Sequence, residues 1–260
     1  MRFNLDQKEK SKDSFTYLGD IAVSDKSSTL AVADVNNQRI QMFGFEGNFL
    51  REIALKGKPV SVAFTDSGDL LVCNIFDNRI FLYTENGQFI SYIGGEHVRN
   101  PWYLSVSRDG RIITSEFNDK RIKVLTGDGK NLLQSFKAPD CDELLECVVY
   151  HQDKFVVSRH SNGRVMVFNN AGEYVHDIGS KGSGDGQFSE PRSLVIDKFN
   201  RLIICHSGNR RLQLFTLDGK YISQIAGSFF EGGYPRYAVI SNTGNLFVTD
   251  SQRHCVYVFR

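Results

Sequence analysis

Six segments of the chain share one pattern: DVNNQRIQMF (34–43), NIFDNRIFLY (74–83), EFNDKRIKVL (116–125), RHSNGRVMVF (159–168), HSGNRRLQLF (206–215) and DSQRHCVYVF (250–259). The aligned sixth position holds Arg39, Arg79, Arg121, Arg164, Arg211 and Cys255, at intervals of 40, 42, 43, 47 and 44 residues. A regular period of that size means one supersecondary unit, repeated because no single copy buries its own apolar surface. The second copy shows what the unit is. PVSVAF (59–64), DLLVC (69–73), RIFLY (79–83) and FISYI (89–93) are short runs rich in Val, Ile, Leu, Phe and Tyr, separated by TDSGD, NIFDN and TENGQ. Such runs, bounded by Gly, Asp and Asn, form strands rather than helices. Glycine recurs late in FEGN, TENG, TGDG, NNAG and TLDG, where it supplies the positive φ of a tight hairpin.

Four strands repeated six times predict an all-β, six-bladed β-propeller with four antiparallel strands in each blade. It occupies one domain, residues 1–260, with blades at about 19–58, 59–100, 101–143, 144–190, 191–234, and 235–260 plus 1–5. The last blade accounts for the split. Its repeat ends at Phe259–Arg260, after the third strand, and MRFNL (1–5) is apolar enough to supply the fourth. An N-terminal strand closing the last blade joins the chain ends and removes two exposed sheet edges. The second strand of every repeat is apolar almost throughout and ends on a small residue: Ala33, Cys73, Ser115, Ser158, Cys205 or Thr249. That suits sheets covered on both faces and converging on an axis. Cys73 and Cys205 are thereby read as small core residues. Five cysteines, an odd number without paired spacing, do not form a disulfide framework, and a reducing cytoplasmic setting is expected.

Lys and Arg number 31 against 30 Asp and Glu, a formal net charge of +1, so total charge does not point to a nucleic acid. Its distribution does. The loops between the second and third strands (b–c loops) of blades 1–3 carry Asp34, Arg39, Asp77, Arg79, Glu116, Asp119, Lys120 and Arg121, four of each sign. Those of blades 4–6 carry Arg159, Arg164, Arg210, Arg211 and Arg253 against Asp250, with His160, His206 and His254 nearby. The loops leading into the first strands (d–a loops) add Lys181, Arg192 and Arg236. A localised cationic half-face is the footprint of phosphate contacts. Trp102, Tyr103, Tyr234 and Tyr237 lie among these charges, and aromatics beside arginine are how unpaired bases are held. The expectation is single-stranded RNA bound by Arg192, Arg236, Tyr237, Arg210, Arg211, Arg159, Arg164, Arg253, Trp102 and Tyr103. The alternative is a scaffold for protein partners, using an exposed apolar patch. The arginines that recur in every blade but one, Arg39, Arg79, Arg121, Arg164 and Arg211, belong first to the repeat, and Trp102 has packing between blades as its second reading.

Other classes find little support. MRFNLDQKEKSKDS has no apolar core of a secretory leader, and no apolar stretch reaches the roughly 18–20 residues of a membrane helix. No nucleophile elbow, zinc-protease helix motif or phosphate-cradling glycine motif is present, and GSKGSGDG (179–186) precedes a strand rather than a helix. No histidine spacing marks a metal site. A non-enzymatic binder with no cofactor or metal is expected.

The repeats resemble the NHL repeat, with its first-strand proline and D-x-x-N-x-R-I/V core, and GSKGSGDGQFSEPRSLVID (179–197) is similar to the segment that family carries between blades. The resemblance covers essentially the whole chain. It points to the C-terminal propeller of tripartite-motif–NHL proteins of the Brain tumor type. It implies RNA or protein partners on one face of the disc, a role in post-transcriptional regulation, and, for some members, substrate recognition within a ubiquitin ligase.

Overall fold

A computed structural model describes residues 15–139, 144–226 and 230–260. Six of its sheets are sequential antiparallel meanders, five of four strands and a sixth of three strands among the described residues, and the segment before the fifth blade adds a short parallel pair, Ser180–Lys181 with Gln187–Phe188. The innermost strands, one per blade, are Leu18–Ser24, Pro59–Phe64, Pro101–Val106, Leu145–His151, Pro191–Ile196 and Pro235–Ile240. The sixth blade continues through Leu246–Asp250 to Cys255–Phe259. The proposed closing strand, MRFNL, lies outside the described residues. Short 3-10 turns at Gly95–His97 and Ser207–Asn209 are the helices among the described residues.

Burial follows the distance of a strand from the axis. Thr29–Asp34 is buried throughout, whereas Phe49–Ala54, on the rim of the same sheet, is mostly exposed. Inner strands lie between neighbouring sheets, so their Val, Ile and Leu side chains are covered on both faces. The small residues ending the second strands do more than save space. The Ser115 hydroxyl donates to the Leu145 carbonyl at 2.9 Å, Ser158 to Arg192 at 3.0 Å and Thr249 to Gly19 at 3.5 Å. Each bond stitches one blade to the inner strand of the next, and the last joins blade 6 to blade 1. The four described cysteines, Cys73, Cys147, Cys205 and Cys255, are free and buried. Burial pushes the thiols of Cys73, Cys147 and Cys205 up, away from the reactive thiolate.

Every inner strand carries a register irregularity at its start, for instance between Leu18 and Ile21, Pro59 and Ser61, and Pro191 and Ser193. The other three strands repeat it. A bulge re-aims side chains and breaks strict alternation. Two successive residues of each strand thereby contribute to the lining of the channel.

Candidate binding face around the channel mouth

The second residues of the six inner strands are Gly19, Val60, Trp102, Glu146, Arg192 and Arg236. The third are Asp20, Ser61, Tyr103, Cys147, Ser193 and Tyr237. Of these, the side chains of Trp102, Tyr103, Glu146, Arg192 and Tyr237 meet around the axis. The rings of Tyr103 and Tyr237, from opposite blades, stack at 6.3 Å between centroids. Glu146 is buried among three donors: Arg192 Nη1 at 2.7 Å, Tyr237 Oη at 3.1 Å and Trp102 Nε1 at 3.2 Å. Arg192 also reaches His160 Nε2 at 2.7 Å and lies 3.6 Å from Glu190, which accepts a hydrogen bond from Tyr234. Partial burial works against ionisation of Glu190, but the Tyr234 hydroxyl and the charges of His160 and Arg192 outweigh it and hold its carboxyl below the usual range.

The residues singled out from the sequence are therefore brought together, but largely facing inward. Arg192, Arg236 and Tyr237 are only 9%, 7% and 3% exposed. The expectation that Tyr237 and Tyr103 offer free faces to bases meets two buried rings already stacked on each other. Arg159 is likewise buried. Trp102 divides its ring between packing and the surface: its N–H serves Glu146, and its face lies against Phe117 at 5.2 Å. Among the recurring arginines, Arg164 pairs with Asp177 at 2.9 Å and Arg211 donates to the carbonyls of Gly184 and Gln187. Arg253 donates to Tyr257 and to the Glu231 carbonyl. Arg210 stands exposed at the end of a 3-10 turn, with a left-handed φ of 54°.

Blades 2 and 3 contribute what the sequence reading passed over. Phe76 and Phe117, on the b–c loops, are 64% and 42% exposed. The Lys58 ammonium lies 5.9 Å from the centroid of the first ring, and that of Lys120 lies 4.7 Å from the second. Between these blades a cavity of about 280 Å³ is lined by Ile75, Asn78, Asn100, Trp102, Phe117 and Asn118. For Phe76 the signal was present: Asn36, Asn118, Ser161 and Gln252 occupy the corresponding position of other loops, so an aromatic there departs from the repeat, whereas Phe117 aligns with the apolar Val35 and Ile75. The d–a loops of this half add Lys56, Lys58 and Arg99, which reduces the charge contrast drawn from the b–c loops alone.

Two buried groups are shifted toward their neutral forms. Burial pushes the carboxyl of Asp20 up to about 7, against hydrogen bonds from Ser61 Oγ and the N–H groups of Ile21 and Val62. Burial, with Arg211 beside it, lowers His206 to about 3. Among the described residues, no three His, Cys, Asp or Glu side chains are grouped to hold a metal ion. No helix there is long and apolar enough to cross a membrane.

Comparison with known proteins agrees with this architecture. Residues 4–143, more than half of the chain, match the family described as Vps16, N-terminal region, and residues 143–232 match one described as 6-bladed beta-propeller. Protein brain tumor of Drosophila melanogaster is 33% identical over 141 residues, covering 51% of this chain and 13% of that protein. The B-box type zinc finger protein ncl-1 of Caenorhabditis elegans is 29% identical over 141 residues, covering 51% and 16%. The matches thus span a small part of those relatives' length. Among solved structures, a gluconolactonase from Xanthomonas campestris superposes with a TM-score of 0.75 at 18% identity, covering 95% of this chain and 86% of that one, a likeness of fold alone. The chain belongs to the Vps16 N-terminal-region family over residues 4–143 and, taken whole, is an NHL-type six-bladed β-propeller resembling the tripartite-motif–NHL proteins.

Proposed function

We propose that this propeller is a non-enzymatic binding module that takes single-stranded RNA on its b–c and d–a loop face, in the cytoplasm, as part of post-transcriptional regulation. The observation that carries the reading is the pair of exposed rings, Phe76 and Phe117, each beside a lysine, the second of them lining a cavity that also holds three asparagines. Every base has a π-face, so exposed aromatics stack unpaired bases irrespective of sequence. Asparagine amides donate and accept, which suits the edge of a splayed base. Lys58, Lys120 and Arg99 supply charge for the backbone. In this reading the strand crosses blades 2 and 3, and the buried arginines of blades 5 and 6 act behind it.

The test is anisotropy of short fluorescent single-stranded RNAs at several salt concentrations. Binding should weaken with salt, with a log–log slope of about 0.7 for each phosphate contacted. Absence of binding at moderate salt would overturn the reading and favour a protein scaffold. That second reading rests on the rim of blade 2, where Phe89, Ile90 and Tyr92 are exposed together.

A further inference from the structure

A second cavity, of about 260 Å³, opens at the channel mouth. Tyr17, Val60, Ile75 and Trp102 form apolar walls, and Lys58 and Arg236 supply two cations. No carboxylate lines it. Arg236 is nine-tenths buried, and among the described residues no carboxylate lies within ion-pair distance of it. The nearby acids are otherwise engaged. Glu146 accepts from Arg192, Tyr237 and Trp102. Asp20 accepts from Ser61 and two backbone N–H groups, and burial leaves it only partly ionised at neutral pH. Arg236 is held instead by the hydroxyl of Tyr17 and by the rings of Tyr17 and Tyr237, at 4.6 and 5.4 Å. Its Nε has no hydrogen-bond partner.

A guanidinium stays protonated, and a buried cation without a counter-charge is costly. Glu146 attracts Arg236 from beyond ion-pair distance while pairing with Arg192, so among the described residues the wall of this open cavity keeps an excess of positive charge that an anionic ligand would balance. The walls describe the rest of that ligand: a flat apolar body fits against Tyr17 and Trp102. The volume sets its size, since pockets for drug-sized molecules run to about 300–1,000 Å³. We propose that the channel mouth binds one small organic anion, a single ring bearing a carboxylate or phosphate, with its acidic group on Arg236 and Lys58. This site shares Lys58, Ile75 and Trp102 with the RNA reading, but it goes beyond that reading: it needs a free ligand, and Phe76 and Phe117 do not line it.

Trp102 is the single tryptophan of the chain, so its fluorescence reports directly on this cavity. The experiment titrates the whole protein at constant ionic strength with benzoate and with uridine monophosphate, each against its neutral counterpart, benzamide or uridine. A saturable change in emission is expected from at least one anion, with the matched neutral compound binding at least about tenfold more weakly, the effect of losing one charge-assisted contact. Arg236→Gln should lose about tenfold in affinity, and Arg236→Lys should retain most of it. Because the buried substitution can impair folding, Lys58→Gln serves as the second variant and should weaken the same anion several-fold with an unchanged circular dichroism spectrum. Equal binding of anion and neutral partner, or no saturable response up to millimolar anion, overturns the proposal. So does a response to short single-stranded RNA without any response to free anions, which would make the cavity part of a nucleic-acid face.

Discussion

The two halves of the loop face use their charges in opposite ways. In blades 4–6, Arg159, Arg192 and Arg236 are buried, and Arg192 neutralises Glu146. In blades 2 and 3, fewer notable residues leave more exposed: Phe76 and Phe117 reach solvent under Lys58 and Lys120. The lesson is that charge counted along a loop differs from charge available to a partner. The bulge at the start of each inner strand decides which applies, because it turns the second residue of that strand toward the channel. In the half that looked functional from composition, Arg159, Arg192 and Arg236 are buried while Arg164 and Arg210 remain exposed, and the half that looked balanced presents the exposed rings.

The sharpest way to break this contrast is to remove Arg192. Arg192→Ala leaves Glu146 buried with only neutral donors, and stripping one partner from a buried pair costs about 3–5 kcal/mol. Urea denaturation should register that loss. A variant with unchanged stability but lost RNA affinity would make Arg192 a ligand contact and reverse the assignment of the halves.

Removing the rings of the other half should do the opposite. Phe76→Ala and Phe117→Ala take away exposed side chains, so stability should move little. Each should weaken single-stranded RNA by about 1–3 kcal/mol if a base stacks there. Anisotropy titrations of the two single variants and the double variant measure it; full affinity in the double variant would remove blades 2 and 3 from the site.

Acidity separates the halves more gently. Asp20 in blade 1 titrates near 7 when folded against 3.8 ordinarily, so its contribution is complete below about pH 4 and lost as pH rises toward 7. His206 in blade 5 titrates near 3 against 6.5, so its contribution is complete above 6.5 and lost as pH falls. Between pH 5 and 6.5 the two slopes oppose each other, each approaching about 1.4 kcal/mol per pH unit. Asp20→Asn should leave a stability that rises with pH over this window, and His206→Gln one that falls. Urea midpoints at three pH values decide it; slopes of the same sign in both variants would contradict the pairing.

The smallest effect is expected at Arg164, whose partner Asp177 lies on the rim. Arg164→Gln should cost no more than about 1 kcal/mol, as exposed pairs do. A larger loss in thermal denaturation would show that this recurring arginine carries more of the blade than its exposure suggests.

The repeat, its four strands and the ring of six sheets were legible in the sequence. They depend on local quantities: strand-forming residues, glycine at positive φ in the turns, and a period that recurs whatever lies around it. The small residues at the ends of the second strands were legible as small, and Ser115, Ser158 and Thr249 acted further as hydrogen-bond donors to the next blade. The convergence of Trp102, Arg192, Arg236 and Tyr237 was also readable, because all lie at the start of inner strands. Their roles were not. Glu146 stands in an acidic run that reads as a solvated loop, and only its meeting with residues 44 to 91 positions away makes it the buried centre of the channel. Phe117 reads as an ordinary apolar member of its repeat, and even Phe76, which departs from its repeat, shows its exposure only once the blades pack without covering it. A repeat encodes the blade, since each blade is built from its own segment; which side chains end in the channel and which in solvent is settled by contacts between blades, where no single segment holds the information.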